Sequence, residues 1–283
     1  MAVRTVEIVP LGPVLGAEVK GVDLRKPVPP ELATAIDRAL NEHIVLVFRG
    51  QDPLTEAEQI AFTAGLGPIE VRAATPGAAQ RPYSRLVSNV NLEGYQMKPS
   101  EYHATEMYFH HDTCFQPTPQ KALLLNALQV PAKGGNTVFA DMYRVYDALP
   151  ADIKDRIAGL RALHVFIFTK TERADISKGY DNMLHATHPV AIRHPATGRK
   201  VLYVNRLMTI RIEGLPERES DELLETLFAV GERPEFHYEH VWQAGDLVLW
   251  DNLASMHART DMVADEPRVM RHTSLKGFAV PAA

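Results

Sequence analysis

A single cysteine, Cys114, is the only thiol in this chain of 283 residues. That excludes an intramolecular disulfide framework and suits a reducing compartment. No stretch approaches the roughly 20 consecutive apolar residues that a membrane-spanning helix requires. The first ten residues, Met1 to Pro10, lack the uninterrupted apolar core of a secretion signal, so the expected location is the cytoplasm. There is no excess of positive charge either, since 30 Lys and Arg stand against 35 Asp and Glu for a net charge of -5. A nucleic-acid surface is therefore not expected, and basic residues that matter should act locally. Repeats, low-complexity tracts and linkers are also missing, which points to one domain over residues 1–283. What is present is 46% hydrophobic and 23% charged residues, enough for a large soluble core.

The pattern along the chain is strand-rich. Val6 to Leu11 and Leu15 to Val19 read as a hairpin, and Ile44 to Phe48 as a strand buried on both faces. Leu32, Ile36 and Leu40 mark a helix that begins at Pro29-Pro30-Glu31. Thr55 and Glu58 have the spacing of a capping box for a second helix, ending at Gly65 to Gly67. Further strands are expected at Leu86 to Val90, Lys121 to Val130, Asn136 to Ala140, His164 to Phe168, Pro189 to His194, Arg199 to Asn205, Phe236 to Trp242, Leu247 to Trp250 and Val269 to Phe278. Helices are expected at Asp141 to Leu149, Ala151 to Leu160 and Glu219 to Val230. The stretches 68–106 and 169–188 read as long loops suited to lids. Many short strands with a few helices predict a mainly β sandwich or open barrel with helices outside.

The chemistry is densest in Tyr108-Phe109-His110-His111-Asp112-Thr113. In an extended run, side chains alternate faces, so His110 and Asp112 point one way and His111 the other. An imidazole and a carboxylate side by side need one more nitrogen to cap a metal, and His257 is the candidate. Two His and one carboxylate with positions left open form the site of non-haem Fe(II) oxygenases. His-x-Asp alone has little specificity, but it has company. Gly134-Gly135-Asn136-Thr137 follows it, Trp250-Asp251-Asn252 precedes His257, and Arg268 lies eleven residues beyond His257. Trp250 reads as core, and Asp251-Asn252 as a turn ending the strand that leads to His257. His188 and His194 flank turns and read as structural.

Together with Val45-Leu46-Val47-Phe48-Arg49-Gly50 and His194-Pro195-Ala196-Thr197-Gly198-Arg199, these motifs span nearly the whole chain. The sequence resembles the taurine dioxygenase and chlorophenoxyacetate dioxygenase family of Fe(II)- and 2-oxoglutarate-dependent oxygenases. The resemblance implies a double-stranded β-helix, or jelly roll, and makes His110, Asp112 and His257 the iron ligands. It assigns Thr137 and Arg268 to the distal carboxylate of 2-oxoglutarate, which suits a permanent, planar cation beside a hydroxyl. The implied reaction consumes O2 and 2-oxoglutarate, releases succinate and CO2, and hydroxylates a small anionic substrate. Family members commonly form homo-oligomers.

Departures from the family pattern bear on the substrate. Phe109 stands where Trp is frequent, and Asn136 where an acid is common. The taurine branch has an arginine four residues past the cosubstrate arginine, and His272 occupies that position here. Arg268, Met270 and His272 should share one strand face, with Arg271 on the other, so Arg271 does not replace it. The taurine branch also carries a histidine near the position of Arg72. The expected substrate is a small organic acid such as an aryloxyalkanoate, with Arg72, Asn89, Arg206 and His272 as candidate contacts. A sulfonate or sulfate-ester dioxygenase, a zinc hydrolase and a non-catalytic jelly-roll binding module are the alternatives.

Overall fold

Uninterrupted apolar strands build the larger of two facing sheets. The computed structural model describes residues 6–71, 82–90, 106–166, 173–263 and 265–283. β1 (Glu7–Pro10) and β2 (Ala17–Lys20) form the opening antiparallel hairpin. They lead through α1 (Pro30–His43) to β3 (Val45–Phe48). That strand starts one residue later than the apolar run suggests, because Ile44 closes the helix with φ of 66° and its N–H donates to the Leu40 carbonyl. α2 (Glu56–Leu66) begins with the expected capping box, in which Thr55 and Glu58 satisfy each other's backbone N–H. β4 (Arg85–Ser88), β6 (Ala122–Gln129), β14 (Leu247–Asp251) and β16 (Val269–Leu275) complete a seven-stranded sheet, ordered β1-β2-β3-β14-β6-β16-β4.

The smaller sheet has four strands. β5 (Met107–His110), β7 (Thr137–Asp141), β13 (His237–His240) and β15 (Ser255–Arg259) are ordered β13-β7-β15-β5. Between the sheets lie Val45, Val47, Leu123, Leu125, Val248, Trp250 and Met270 from the large sheet and Phe139 from the small one. Alternate residues Leu46, Phe48, Leu124, Leu247 and Leu249 face outward and pack with Ile36, Leu40 and Phe62 of α1 and α2. Burial on both faces is why these strands read as continuous apolar runs. The fold is the expected jelly roll with helices outside.

The remaining elements flank this core. α3 (Met142–Ala148) and α4 (Ala151–Ile157) follow β7, with Asp141 capping α3 through the Tyr143 and Arg144 N–H groups. β8 (Arg161–Val165), β9 (His185–Pro189) and β12 (Thr209–Ile212) form a three-stranded sheet. β10 (Ala191–Arg193) and β11 (Lys200–Leu202) form the expected hairpin, and α5 (Glu217–Gly231) follows β12. One expectation is corrected here: residues 185–188 of the presumed loop 169–188 belong to β9, which pairs along its length with β8. Pairing with a neighbour, rather than any alternation of its own, makes that polar segment a strand. Residues 72–81, 91–105 and 167–172, which include much of the first proposed lid and the start of the second, lie outside the described residues.

Candidate metal centre

The inner face of the small sheet is organised as two transverse rows. His240, Thr137 and Arg259 stand opposite one another in the first, and Tyr238, Phe139, His257 and His110 in the second. Directly opposed residues of an antiparallel ladder share a face, so His110 and His257 are brought together by register, with ring centroids 4.2 Å apart. A bulge offsets β5 against β15 beyond this pair. Such irregularities re-aim side chains beside active sites. β5 ends at His110, so Asp112 sits in the turn beyond it rather than in an extended run. Thr113, at φ of 54°, turns the chain there.

One ligand-grade atom from each of His110, Asp112 and His257 falls within 4.8 Å of the others, the sole such cluster among the described residues. His257 Nε2 lies 3.5 Å from Asp112 Oδ2. The Nδ1 of His110 donates to the Tyr108 carbonyl at 2.9 Å, which leaves Nε2 with its lone pair for a metal. Burial, with His110 adding to it, pushes the His257 imidazole down to about 3, so the ring is neutral near pH 7. Burial alone would raise Asp112, but His257 and His110, with smaller help from His272 and Arg85, hold its carboxyl at about 2. A neutral His257 imidazole beside an ionised Asp112 carboxylate supplies donor states that a divalent cation requires.

Asn252, expected only as part of a turn, clamps the Asp112 backbone. Its Oδ1 accepts from the Asp112 N–H at 2.9 Å, and its Nδ2 donates to the Asp112 and Gln120 carbonyls at 2.8 and 3.0 Å. Asp251 is buried, accepts from the Leu253 and Ala254 N–H groups, and meets His194 Nε2 at 3.0 Å. His194 is thereby structural, as is His188, whose Nε2 faces the Gln116 carbonyl at 2.9 Å. His111 turns away from the cluster and packs on Tyr203, as alternation requires. Trp250 is core and also meets the His257 ring edge-on, at a centroid distance of 5.1 Å.

Thr137 and Arg268 are both buried. Arg268 Nε donates to the Gly135 carbonyl at 3.0 Å. Gly135 has φ of 67°, and a Cβ there would come within 3.1 Å of Arg268 Cδ, so glycine serves both the turn and the arginine's approach. Asn89 braces the same segment: its Oδ1 accepts from the Arg268 N–H at 2.7 Å and its Nδ2 donates to the Glu266 carbonyl at 2.8 Å. On β16, Met270 faces the core, whereas Arg271 points outward and donates to the Leu54 carbonyl at 2.9 Å, as the alternation predicts. His272 is buried and stands opposite Arg85 of β4. Arg206 lies elsewhere, with its guanidinium bound to Glu232 at 2.7 Å and Glu225 at 2.8 Å, so two carboxylates of the α5 region already meet its charge. Arg72 is outside the described residues.

Sequence reading missed Arg85, Asn252 as a clamp, and Arg259, which is buried directly across the ladder from Thr137. Two-residue spacing from His257 could have flagged Arg259. Nothing local marks Arg85, an exposed residue that stands beside His272 only because β4 pairs with β16.

Comparison with known proteins agrees with this geometry. The taurine catabolism dioxygenase TauD, TfdA family matches residues 7–274. The alpha-ketoglutarate-dependent 2,4-dichlorophenoxyacetate dioxygenase of Cupriavidus pinatubonensis is 36% identical, over 88% of this chain and 90% of that protein. The (S)-phenoxypropionate/alpha-ketoglutarate-dioxygenase of Sphingobium herbicidovorans is 33% identical, over 96% of this chain and 95% of its own length. A crystal structure of a taurine dioxygenase from Burkholderia xenovorans superposes with a TM-score of 0.81 at 30% identity, covering 98% of this chain and 91% of that one. The chain thus belongs to the taurine catabolism dioxygenase TauD, TfdA family and is an Fe(II)- and 2-oxoglutarate-dependent dioxygenase.

Proposed function

We propose that His110, Asp112 and His257 hold the iron, that Thr137 and Arg268 hold 2-oxoglutarate, and that the substrate is a small organic acid of the aryloxyalkanoate type. The observation that carries this reading is the convergence of three ligand atoms within 4.8 Å on the same barrel interior as a buried arginine and threonine. When bound, iron and 2-oxoglutarate supply oxygen activation coupled to the release of succinate and CO2.

The protein's own groups do the positioning. The Tyr108 carbonyl orients His110, Asn252 holds the Asp112 backbone, and Trp250 and Phe139 wall the His257 ring. Arg268 supplies a buried positive charge and Thr137 a hydroxyl to the distal carboxylate. Apolar walls around this interior limit water access, which favours productive over uncoupled oxidation.

For the substrate anion, Arg85 and His272 are the groups favoured on geometry. They are cross-strand partners, both contribute to holding Asp112 ionised, and Arg85 forms no ion pair among the described residues. An arylated acid would lay its ring in the apolar interior and its carboxylate at this pair. The relatives named for phenoxy acids support that choice, and a sulfonate is the second reading, supported by the taurine dioxygenase similarity. No helix among the described residues is long and apolar enough to cross a membrane. A cytoplasmic homo-oligomer is the working form we infer, to be checked by light scattering and cell fractionation.

Anaerobic titration of Fe(II) and 2-oxoglutarate should give a visible charge-transfer band. Oxygen-dependent succinate release should then respond to aryloxyalkanoates in a panel that includes sulfonates and sulfate esters. Zinc retention without that band would favour a hydrolase, and a response to sulfur acids alone would overturn the carboxylate reading.

A further inference from the structure

The hydroxyl of Thr137 is committed on one side only. Trp242 Nε1 donates to Thr137 Oγ1 at 3.0 Å, and both residues are buried. An indole N–H is a donor without acceptor capacity, whereas a threonine hydroxyl has one proton and two lone pairs. With a lone pair occupied by the indole, the Thr137 proton is left to point at some other acceptor. Among the described residues, the Thr137 side chain makes no further hydrogen bond. The indole therefore does more than satisfy itself: it removes the hydroxyl orientation that would aim the proton at Trp242.

Trp242 is in turn held by a polar chain that reaches the opposite sheet. Its ring meets His240 edge-on, at 4.5 Å between centroids. His240 Nε2 donates to Asp246 Oδ2 at 3.1 Å, and the Tyr238 hydroxyl donates to His240 Nδ1 at 3.2 Å. The same Asp246 oxygen accepts from Arg49 Nη1 at 2.9 Å and from the Gln243 N–H at 3.0 Å, which pins the residue immediately after Trp242. Asp246 and His240 are almost wholly buried, so the chain is rigid rather than solvated.

We propose that Trp242 is a positioning residue for the cosubstrate, its indole N–H setting the Thr137 hydroxyl as a hydrogen-bond donor to the distal carboxylate of 2-oxoglutarate. This inference rests on the reading that Thr137 and Arg268 bind that carboxylate. A tryptophan that merely fills space would leave cosubstrate affinity indifferent to its N–H.

The test is a double-mutant cycle on the Mn(II)-loaded protein, with 2-oxoglutarate affinity read anaerobically by calorimetry. Thr137→Val should weaken binding, and Trp242→Phe should weaken it about threefold to tenfold, the scale of one neutral hydrogen bond. With valine at position 137, adding Trp242→Phe should change affinity by less than about twofold, because coupled residues do not add. In turnover with the iron enzyme, Trp242→Phe should raise the KM for 2-oxoglutarate and leave kcat close to unchanged. Should Trp242→Phe not fold, replacing Trp242 with the near-isosteric benzothienylalanine removes only the N–H. If Thr137→Val weakens binding while loss of the Trp242 N–H does not, or if that loss costs the same factor in both backgrounds, the positioning role is overturned. If Thr137→Val itself leaves affinity intact, the cosubstrate reading fails and takes this inference with it.

Discussion

The two sheets of the barrel divide the labour unequally. In the large sheet, β3, β6 and β14 bury Val and Leu on both faces, one against the barrel interior and one against α1 and α2. In the small sheet, the inner face carries His110, His257, Thr137, Arg259 and His240. The first sheet is stabilised by area removed from water and tolerates interchange of apolar groups. The second places polar groups in a buried interior, where each needs a partner: His110 meets the Tyr108 carbonyl, Thr137 the Trp242 indole N–H, His240 both Asp246 and Tyr238, and His257 the Asp112 carboxylate. The candidate metal cluster lies where hydrophobic patterning is weakest.

This division can be broken deliberately. Asp112→Ala, in the turn after β5, should abolish turnover and lower Fe(II) affinity by more than the roughly 10–100-fold typical of losing an outer partner. Metal content after gel filtration would check it. Arg268→Ala, at the entry to β16, removes the buried charge that we propose pairs with the keto acid and should cost about 2–5 kcal/mol in 2-oxoglutarate binding. An unchanged Kd in anaerobic titration would contradict its assigned role.

Smaller effects sharpen the boundary. Asn252→Ala lies where β14 of the large sheet hands over to the turn that carries Asp112; activity or metal affinity should fall about 10–100-fold, and the melting temperature should fall as well because three backbone groups lose their partner. For Arg85→Ala, an exposed position on edge strand β4, the loss should be roughly 1 kcal/mol, or about fivefold in KM for a carboxylate substrate, with 2-oxoglutarate affinity unaltered. Steady-state kinetics with both substrates varied would separate the two. On the scaffold side, Thr55→Ala removes the α2 cap and should lower stability by about 1 kcal/mol in denaturant melts while turnover per folded molecule stays the same.

Much of the scaffold was legible because its governing signals are local. The capping box at Thr55 and Glu58, the apolar run at Val45 to Phe48 and the hairpin before Lys20 all act within a few residues. β9 was not legible, since His185 to Pro189 is polar and becomes a strand only by pairing with β8. At the site, residue type and spacing singled out His110 and Asp112, and the family resemblance supplied the full set with His257. The expected extended run through Asp112 did not form, because the chain turns at Thr113, yet the carboxylate still reaches the imidazoles.

By itself the sequence determined which residue types are available and on which face of a strand each one lies, because alternation is a property of the backbone alone. That was enough to separate His110 from His111 and Met270 from Arg271. Tertiary structure decided which candidates meet. Register brought His257 opposite His110 and Arg85 opposite His272, and packing gave Arg206 to Glu225 and Glu232. The physical reason is that register and charge pairing are set by contacts between segments from about twenty to nearly two hundred residues apart, and no local pattern encodes which partner a side chain will find.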